Sequence, residues 1–449
     1  MSVRGSSCGG GRSRRVRFSA LTRRTVFFLV VTVALSISLL SLGLCRNGKC
    51  SNVDLRRAER SQSPIVHSRA NTAAFVRETL RYAPSQAGGW YIPEAWFNSA
   101  DSSALPPPSS SPWPIYLIAK RASTLAADGN HTIPHSSIPL IVHLLWTQPD
   151  PESWTPKVFD CIAAWTRSAV DSGHALVVWD KESMRSLVQT AWPEGYDQFL
   201  RVPMDTMRSD IFRAVVLREF GGVYVDADTQ PRKPPATWIT AEDLTLVADP
   251  LSTSSKPPLF SSVTSTDVSS RRSIHLLIGL ECDADPASDD YWRYFAFQHP
   301  IQIVYWSLGA APGHHMLSRH LRNILKVASR MSDKEMKIEQ DAVGFTGPGR
   351  WTVTVKEWMD DRYGPDHLWF KLTGRFDGGK SKVIEDVLVL PITGFSPGRD
   401  EGYDYMGSKP ATDPDARLQH MFLGSWKHIT VKGTFIKACR KFFGGCRHW

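Results

Sequence analysis

The sequence contains few cysteines, and none of them is arranged for a familiar metal module. Seven cysteines are scattered over 449 residues, with no CxxC pair and no His/Cys spacing that suits zinc. A zinc-binding module is therefore not expected. In an oxidising compartment four of the cysteines could form disulfides, but the sequence leaves the pairing open. These four are Cys161, Cys282, Cys439 and Cys446.

Acidic residues are absent from residues 1–24, a stretch that contains seven arginines. The formal net charge of the whole chain is +9, so only about +2 remains for all other residues. The basic character is therefore local, and the sequence implies no nucleic-acid partner.

Charged residues are also absent from residues 25–45 (TVFFLVVTVALSISLLSLGLC). A helix of this length can cross a hydrocarbon core of roughly 30 Å. A cleaved signal peptide is the alternative, but its apolar region usually has only ~7 to 15 residues, and Leu44 and Cys45 form a poor cleavage site. We therefore expect an uncleaved signal anchor. The preceding arginines favour a single-pass type II orientation, with the carboxyl end in the lumen.

Residues 46–137 are polar, and residues 102–114 (SSALPPPSSSPWP) have the composition of a spacer. Residues 73–82 have helical spacing, and residues 113–120 are apolar enough to pack against another surface. The sequon Asn130-His131-Thr132 can be glycosylated only if this region is lumenal. The sequence thus predicts a cytosolic basic tail at 1–24, an anchor at 25–45, a lumenal stem at 46–137, a globular domain at 138–430 and a tail at 431–449.

After Pro139, short apolar runs alternate with amphipathic stretches, which is typical of an α/β domain. This pattern predicts strands at 140–146, 175–179 and 222–225, and helices at 157–169 and 206–220. Gly221 is expected to end the second helix in a left-handed conformation. The last strand leads directly into Asp226 and Asp228, and ligands of open α/β sheets collect at the carboxyl ends of strands.

Asp226 and Asp228 are separated by one small residue, so both side chains can reach forward from the strand end. Carboxylate oxygens suit hard cations such as Mn²⁺ or Mg²⁺, and a nucleotide diphosphate can supply the remaining ligands. An Asp-x-Asp pair in a solvated turn is common, however. The pair alone therefore does not establish a metal site.

Residues 208–229 (RSDIFRAVVLREFGGVYVDADT) closely resemble the signature of a sugar-transferase superfamily that includes fungal mannosyltransferases and bacterial glucosylating toxins. Further segments match, in the same order, the fungal initiation-specific alpha-1,6-mannosyltransferases of glycosyltransferase family 32. These segments are IPLIVHLLW, GLECDAD, APGHHML, TGPGRWT, VLPITGFSPG and HMFLGSWKH. The resemblance spans residues 138–428 and implies an α/β fold of the GT-A type, a Rossmann-like mixed sheet flanked by helices.

The resemblance implies a metal-dependent, retaining mannosyltransferase that moves mannose from GDP-mannose onto the N-glycan core in α-1,6 linkage. It implies Mn²⁺ (or Mg²⁺) as cofactor, a nucleotide-sugar donor, an N-glycan or glycoprotein acceptor, and a place in the Golgi membrane within a mannosyltransferase complex. The alternatives are a transferase acting on a sphingolipid or cell-wall polymer, and a non-catalytic glycan-binding relative. A metal-dependent phosphohydrolase would need further acids or histidines near Asp226, which the sequence does not supply.

The resemblance also assigns roles to particular residues. Asp226 and Asp228 would be metal ligands and catalytic residues, and His420 would complete the metal shell. Trp146 would stack on the nucleotide base. The other residues implied in donor binding are Arg208, Asp210 and Arg213 at the sugar hydroxyls, and Ser425 and Trp426 over the diphosphate.

Structural alternatives remain open for several of these residues. Asp210 and Arg213 lie one helical turn apart, so they could form an intrahelical ion pair worth only ~0.2 to 0.5 kcal/mol. Trp146 could be a core tryptophan, and a lone histidine such as His420 is more often structural.

The retaining reaction has no evident nucleophile in the sequence. A double displacement would need a carboxylate beneath the anomeric carbon, for which Glu281 and Asp283 are the candidates. Same-face attack assisted by the leaving phosphate is favoured, with Glu281 contacting the donor or acceptor. Residues 347–349 (Gly-Pro-Gly) are expected to form a turn that shapes the acceptor cleft, because they lack the lysine of a phosphate loop.

Overall fold

The computed structural model describes residues 71–81, 87–97, 113–148, 151–244, 273–285, 292, 297–339, 341–366, 368–398 and 406–424. The chain divides into two units, Met1–Arg69 and Ala70–Trp449, and the described residues all lie in the second unit. The predicted anchor at 25–45 and tail at 431–449 therefore lie outside the described residues. Among the described residues, no helix combines the length and apolar character needed to span a membrane.

Strands in the described part of the chain form a large mixed sheet and a small separate one. The large sheet has the order β1-β3-β2-β4-β8-β6-β10-β9, with β7 paired to β6, and β5 pairs with β11 in the small sheet. The strands are β1 (Gly88–Tyr91), β2 (Ile141–Leu145), β3 (Ala175–Trp179), β4 (Gly222–Asp226), β5 (Thr229–Pro231), β6 (Leu276–Asp283), β7 (Ile301–Ile303), β8 (Ser307–Ala310), β9 (Lys382–Ile384), β10 (Val387–Leu390) and β11 (Leu418–His420).

Helices cover both faces of the large sheet. They are α1 (71–79), α2 (Ile115–Asp128), α3 (Pro156–Ser172), α4 (Lys181–Ala191), α5 (Tyr196–Arg201), α6 (Asp205–Phe220), α7 (His315–Ala328), α8 (Asp333–Ile338), α9 (Ala342–Phe345), α10 (Pro348–Tyr363) and α11 (Ile392–Phe395). Short 3-10 turns lie at Glu94–Trp96, Pro151–Ser153, Pro193–Gly195, Pro235–Thr237 and Trp369–Lys371.

The apolar core consists of two buried clusters on opposite faces of the sheet. Along β3, Val177 belongs to one cluster, whereas its neighbours Leu176 and Val178 belong to the other. Successive side chains of a strand point to opposite faces, so the clusters must lie on the two sides. Burial on both faces explains why this strand is apolar throughout.

Strand direction defines the edge at which a site can form. β2 runs parallel to β3 and β4, and β6 runs parallel to β10. β8 pairs antiparallel with both β4 and β6, so β4 and β6 also run in the same direction. The carboxyl ends of β2, β3, β4, β6 and β10 therefore meet at one edge, and the predicted α/β class with a mixed sheet is confirmed.

The paired glycines between α6 and β4 are required by the backbone. α6 ends at Phe220 as predicted, and Gly221 follows with a φ of 67°. Gly222 has a φ of 96°, and a Cβ there would lie 2.5 Å from the carbonyl oxygen of Ile141. Only glycine allows both the sharp turn and the close approach of β4 to β2.

The predicted stem needs correction at its carboxyl-terminal boundary. β1 pairs antiparallel with β3, and Trp90, Ile115 and Ile118 are buried in the same cluster as Val177. The globular unit therefore begins well before residue 138. The sequence did not indicate this because β1 is stabilised by pairing with a strand almost 90 residues further along the chain.

Two of the cysteines considered for disulfides are buried thiols. Cys161 lies in α3, and the Cys282 thiol contacts the Met406 sulfur at 3.5 Å. They do not pair with each other. Cys439 and Cys446 lie outside the described residues.

Candidate active site

The turn that follows β4 carries the two predicted metal-binding aspartates. Asp226 is the last residue of β4, and its amide donates to the carbonyl of Trp306 at 2.9 Å. The Thr229 hydroxyl donates back to the carbonyl of Asp226 at 2.7 Å. The indole of Trp165 donates to both oxygens of Thr229 at 3.1 Å. The turn is thus fixed at both ends before any ligand binds.

Strand β11 brings His420 to this turn from almost 200 residues away. His420 pairs with Thr229 in the small sheet. Its Nε2 lies 3.4 Å from Asp228 Oδ1 and 3.7 Å from Asp226 Oδ2. Ligand atoms of the three residues all lie within 4.8 Å of one another. The structure therefore brings together Asp226, Asp228 and His420, the metal set predicted from the sequence.

Each aspartate has one oxygen committed to the protein and one directed at His420. Asp226 Oδ1 accepts from Arg213 Nη2 at 2.6 Å, and Asp228 Oδ2 accepts from the amide of Leu423 at 3.0 Å. This leaves Asp226 Oδ2 and Asp228 Oδ1 as the oxygens that face the imidazole. Two oxygens and one nitrogen suit Mn²⁺ or Mg²⁺, with room for diphosphate oxygens in the remaining positions.

The tautomer of His420 bears on how it can bind a metal. Its Nδ1 accepts a hydrogen bond from the amide of Phe422 at 2.8 Å. The neutral ring therefore carries its proton on Nε2, which faces the aspartates. A metal at Nε2 would need the proton on Nδ1 instead, so the Phe422 amide would have to turn away. The aspartates fit a metal as they stand, whereas His420 fits it only after this change.

The local charges set the two aspartates apart. Burial acts to raise the pKa of Asp226, but Arg213 and His420 outweigh it and lower that pKa below its ordinary value. Burial raises the pKa of Asp228, with Asp226 adding to the effect and His420 opposing it. Asp226 is thus held ionised. The ionised form of Asp228 is the one that a nearby cation would stabilise most.

Asp210 and Arg213 form a buried ion pair on α6. Their side chains are 4% and 9% exposed, and the Arg213 guanidinium donates to Asp210 Oδ1 as well as to Asp226. Burial raises the pKa of Asp210 to about 6 although Arg213 opposes it. The pair is therefore the intrahelical contact considered as the alternative, extended to Asp226. Contact with donor hydroxyls remains a prediction for both residues.

Arg208 lies on another side of α6. It donates to Asp205 Oδ1 at 2.7 Å and to the carbonyl of Val202 at 2.6 Å. Arg208 and Asp210 are two positions apart, which corresponds to a rotation of about 200° around the helix axis. Arg208 therefore points away from Asp210. The structure does not bring Arg208 together with the other predicted donor-binding residues.

Trp146 lies directly beside the aspartate turn. It follows Leu145, which is the register partner of Asp226 across β2 and β4. The half-buried ring packs on the core, and its indole nitrogen is enclosed without a hydrogen-bond partner among the described residues. Both the predicted base contact and the core role are compatible with this position. Ser425 and Trp426 lie outside the described residues.

Glu281 and Asp283 lie at the carboxyl end of β6, at the same edge as Asp226. Glu281 is buried and accepts from Gln302 Nε2 at 2.9 Å. Asp283 Oδ2 accepts from the amide of Gly374 at 2.8 Å, and burial raises the pKa of Asp283. Asp283 is more enclosed than Glu281, which favours Glu281 for contact with a substrate.

Sequence reasoning missed two groups that fix Asp210 in place. The Thr346 hydroxyl donates to Asp210 Oδ2 at 2.7 Å, and the Tyr305 hydroxyl donates to the carbonyl of Asp210 at 2.8 Å. Thr346 directly precedes residues 347–349, which were predicted to form a turn that shapes the acceptor cleft. In the structure Gly347 is the N-cap of α10 and Pro348 begins that helix, so only the start of this segment is a turn; its role towards the acceptor stays a prediction. A contact across 136 positions leaves no local signal in the sequence.

Comparisons with known proteins agree with the geometry of the aspartate turn. Residues 155–245 match the family described as "Glycosyltransferase sugar-binding region containing DXD motif". The chain is 31% identical to the initiation-specific alpha-1,6-mannosyltransferase of Schizosaccharomyces pombe over 301 residues, which is 65% of each chain. It is 28% identical to the Candida albicans protein of the same name, over 62% of this chain and 69% of that relative.

More limited likenesses extend to other proteins. Inositol phosphoceramide mannosyltransferase 3 of Schizosaccharomyces pombe is 30% identical over 123 residues, or 26% of this chain and 33% of that relative. A solved structure titled "PaToxG Glycosyltransferase" is 14% identical and covers 58% of this chain and 86% of that one, but its TM-score of 0.29 is too low to support a conclusion.

The predicted family resemblance is confirmed by these matches. Residues 155–245 match the DXD-containing sugar-binding region, and the chain is similar to the initiation-specific alpha-1,6-mannosyltransferases. The match spans just under two thirds of the Schizosaccharomyces pombe protein.

Proposed function

We propose that the protein is a metal-dependent, retaining mannosyltransferase of the GT-A type. It would transfer mannose from GDP-mannose to the N-glycan core in α-1,6 linkage. The observation that carries this proposal is the convergence of Asp226, Asp228 and His420 at a strand end within the DXD region. The names of the relatives supply the transferred sugar and the linkage, and the family resemblance supplies GDP-mannose as donor.

The residues around the turn have separate tasks in the proposed reaction. A bound divalent cation would act as a Lewis acid for the departing diphosphate, so no strong general acid is needed there. Arg213 keeps Asp226 ionised and fixes one of its oxygens. Trp146 would orient the nucleotide base. Glu281, at the end of β6, would contact the donor or acceptor sugar.

The retained configuration would follow from same-face attack. The acceptor hydroxyl approaches on the side from which the diphosphate leaves, and the leaving phosphate takes its proton. Glu281 already accepts a hydrogen bond from Gln302, which suits a positioned polar contact. We therefore assign Glu281 to substrate contact rather than to a covalent intermediate.

A donor and acceptor panel tests this proposal. Purified full-length protein would be incubated with Mn²⁺, with GDP-mannose or UDP-sugars, and with a high-mannose N-glycan or inositol phosphoceramide. We expect one mannose added to the N-glycan in α-1,6 linkage, identified by linkage analysis. Transfer to the ceramide alone would move the protein to the other acceptor class, in line with the shorter match. No transfer from any donor would contradict the enzymatic proposal.

We further propose that the protein is a single-pass type II protein of the Golgi membrane, working within a complex of mannosyltransferases. The support for an anchor is the uncharged segment 25–45 behind an arginine-rich tail. The support for a Golgi complex is the resemblance to the outer-chain mannosyltransferases. Protease protection of intact vesicles tests the orientation, because a lumenal carboxyl-terminal tag should survive until detergent is added.

A further inference from the structure

The turn between α9 and α10 is built against Asp210. Thr346 is completely buried between the two helices. Its hydroxyl lies 2.7 Å from Asp210 Oδ2 and 3.4 Å from the carbonyl oxygen of Ala342. A threonine has one hydroxyl proton, and the shorter contact to a carboxylate takes it. Thr346 is therefore a hydrogen-bond donor to Asp210.

The next residue leaves room for that carboxylate. A Cβ on Gly347 would lie 3.2 Å from Asp210 Oδ2 and 2.9 Å from the carbonyl oxygen of Ala342. Gly347 is also the N-cap of α10, a helix of 16 residues. The positive end of this helix thus lies beside the negative charge of Asp210.

Asp210 passes this constraint on to the candidate metal site. One of its oxygens binds Thr346 and the other binds Arg213. The Arg213 guanidinium lies over the rings of Tyr224 and Tyr305, 5.1 and 5.4 Å from their centroids, and it donates to Asp226 Oδ1 through Nη2 and Nε. Two carboxylates and two aromatic rings therefore fix its position.

The hydrogen bond between Arg213 and Asp226 Oδ1 leaves the other carboxylate oxygen, Oδ2, available to a cation. Since Oδ1 is bound by Arg213, only Oδ2 faces His420 and Asp228. A rotation of the carboxylate would require Arg213 to move, and Arg213 cannot move without breaking its contact with Asp210.

We propose that Thr346 is a positioning residue for the divalent metal of the donor diphosphate. By holding Asp210, it fixes Arg213 and thereby presents Asp226 Oδ2 to the cation. This inference rests on the proposed function, because it assumes that Asp226 binds a metal. It assigns the turn formed by Thr346 and Gly347 to the donor side of the site rather than to the acceptor.

Thr346→Val tests the proposal because it removes the hydroxyl and keeps the shape of the side chain. Mn²⁺ binding would be measured by electron paramagnetic resonance of the free ion, in the presence of GDP and without turnover. We expect Thr346→Val to weaken Mn²⁺ binding by roughly threefold to tenfold. The reason is that only part of the free energy of the hydrogen bond to the Asp210 carboxylate affects the position of Asp226. Thr346→Ser should restore affinity to within about twofold, because serine keeps the donor.

Thr166→Val is the matched control. Thr166 is equally buried, but among the described residues its hydroxyl bonds only to the carbonyl of Ile162 within its own helix. We expect this variant to bind Mn²⁺ like the wild type. If Thr346→Val does not fold, Thr346→Ala gives the same comparison, because it removes the hydroxyl and leaves space instead of a methyl group.

The outcomes separate this inference from the proposed function. Wild-type affinity in a folded Thr346→Val variant would overturn the role of Thr346 and leave the metal site intact. Equal loss in Thr346→Val and Thr346→Ser would also overturn it, because the hydroxyl would then not matter. A wild-type protein that binds no Mn²⁺ with GDP would overturn both.

Discussion

At the scale of single residues, α6 carries two Asp/Arg pairs with the same spacing and different surroundings. Asp205 is exposed and Arg208 is partly exposed, whereas Asp210 and Arg213 are almost fully buried. An exposed pair gains little because water and salt screen it. The buried Asp210 carboxylate instead accepts hydrogen bonds from Arg213 and Thr346, while Arg213 also keeps Asp226 as a partner.

Substitution of the two aspartates should therefore have unequal effects. We expect Asp210→Asn to lower the free energy of unfolding by about 1 to 3 kcal/mol, because its hydrogen bonds with Arg213 and Thr346 become weaker, and Asp205→Asn by less than about 0.5 kcal/mol. Urea unfolding of both purified variants measures this difference. Similar losses in the two variants would show that the Asp210 pair is not buried in solution.

Sequence information was sufficient for some site residues and not for others. Asp226 and Asp228 could be predicted because they follow an apolar strand within a long motif. His420 was identified only through resemblance, since its contact depends on the pairing of β11 with β5. The link from Thr346 to Asp210 could not be predicted, because it joins α6 to a turn 136 residues further along the chain.

At the scale of elements, β11 is held in place by a buried ion pair just before it. Arg417 donates to both oxygens of Asp243 at 2.8 Å, and the two side chains are 4% and 8% exposed. Downstream, the amide of Met421 donates to the carbonyl of Asp228 at 2.8 Å. The segment that carries His420 is thus fixed on both sides.

Arg417→Lys should loosen this segment. Lysine keeps the charge but has a single nitrogen, so it cannot also donate to the carbonyls of Trp238 and Asp415, as Arg417 does through Nε and Nη1. We expect faster amide hydrogen exchange across residues 418–423, measured by mass spectrometry. Arg319→Lys is the matched control, because Arg319 pairs with the exposed Asp361 on other helices. Unchanged exchange in Arg417→Lys would contradict the assigned role of Arg417.

The elements themselves differ in how far local patterns predict them. β3 was predicted with its observed bounds, and α6 to within one residue, because a fully buried strand and a long helix before paired glycines have clear local signals. β1 was assigned to the stem, because four residues at a sheet edge have no such signal. Its position depends on β3, which lies far along the chain.

At the scale of the whole molecule, buried histidines connect stability to pH. Burial lowers the pKa of His143 to about 4, and the pKa values of His174 and His320 to about 3. The unfolded chain takes up protons near pH 6.5, whereas these folded groups do not. Their stability contribution is therefore complete above that pH and is lost as the pH falls towards 4.

His174→Leu should make the protein less sensitive to acid. Neither ring nitrogen of His174 has a hydrogen-bond partner among the described residues, so leucine removes no contact of that kind. Between pH 6 and 4 we expect the slope of unfolding free energy against pH to fall by about 1.4 kcal/mol per pH unit. Chemical denaturation at several pH values measures it. An unchanged slope would contradict the neutral, buried state of His174.

The proposed lumenal location predicts a glycan on Asn130. This residue is exposed in the turn after α2, so we expect a mobility shift that endoglycosidase removes and Asn130→Gln abolishes. Arg330→Asn is the control, since it creates a second sequon with Met331 and Ser332 at another exposed turn. A shift only in the control would mean that Asn130 is not used. No shift in either protein would contradict the lumenal location.

The central claim is that Asp226, Asp228 and His420 hold a metal that mannosyl transfer requires. The most direct measurement is the rate of mannose transfer from GDP-mannose as Mn²⁺ is titrated into metal-free wild-type protein and Asp228→Asn. We predict that wild-type activity is lost with EDTA and restored by Mn²⁺. Asp228→Asn should remain folded with kcat reduced by about 100-fold or more at saturating Mn²⁺. Near-normal transfer by Asp228→Asn, or by wild-type protein in EDTA, would contradict the claim.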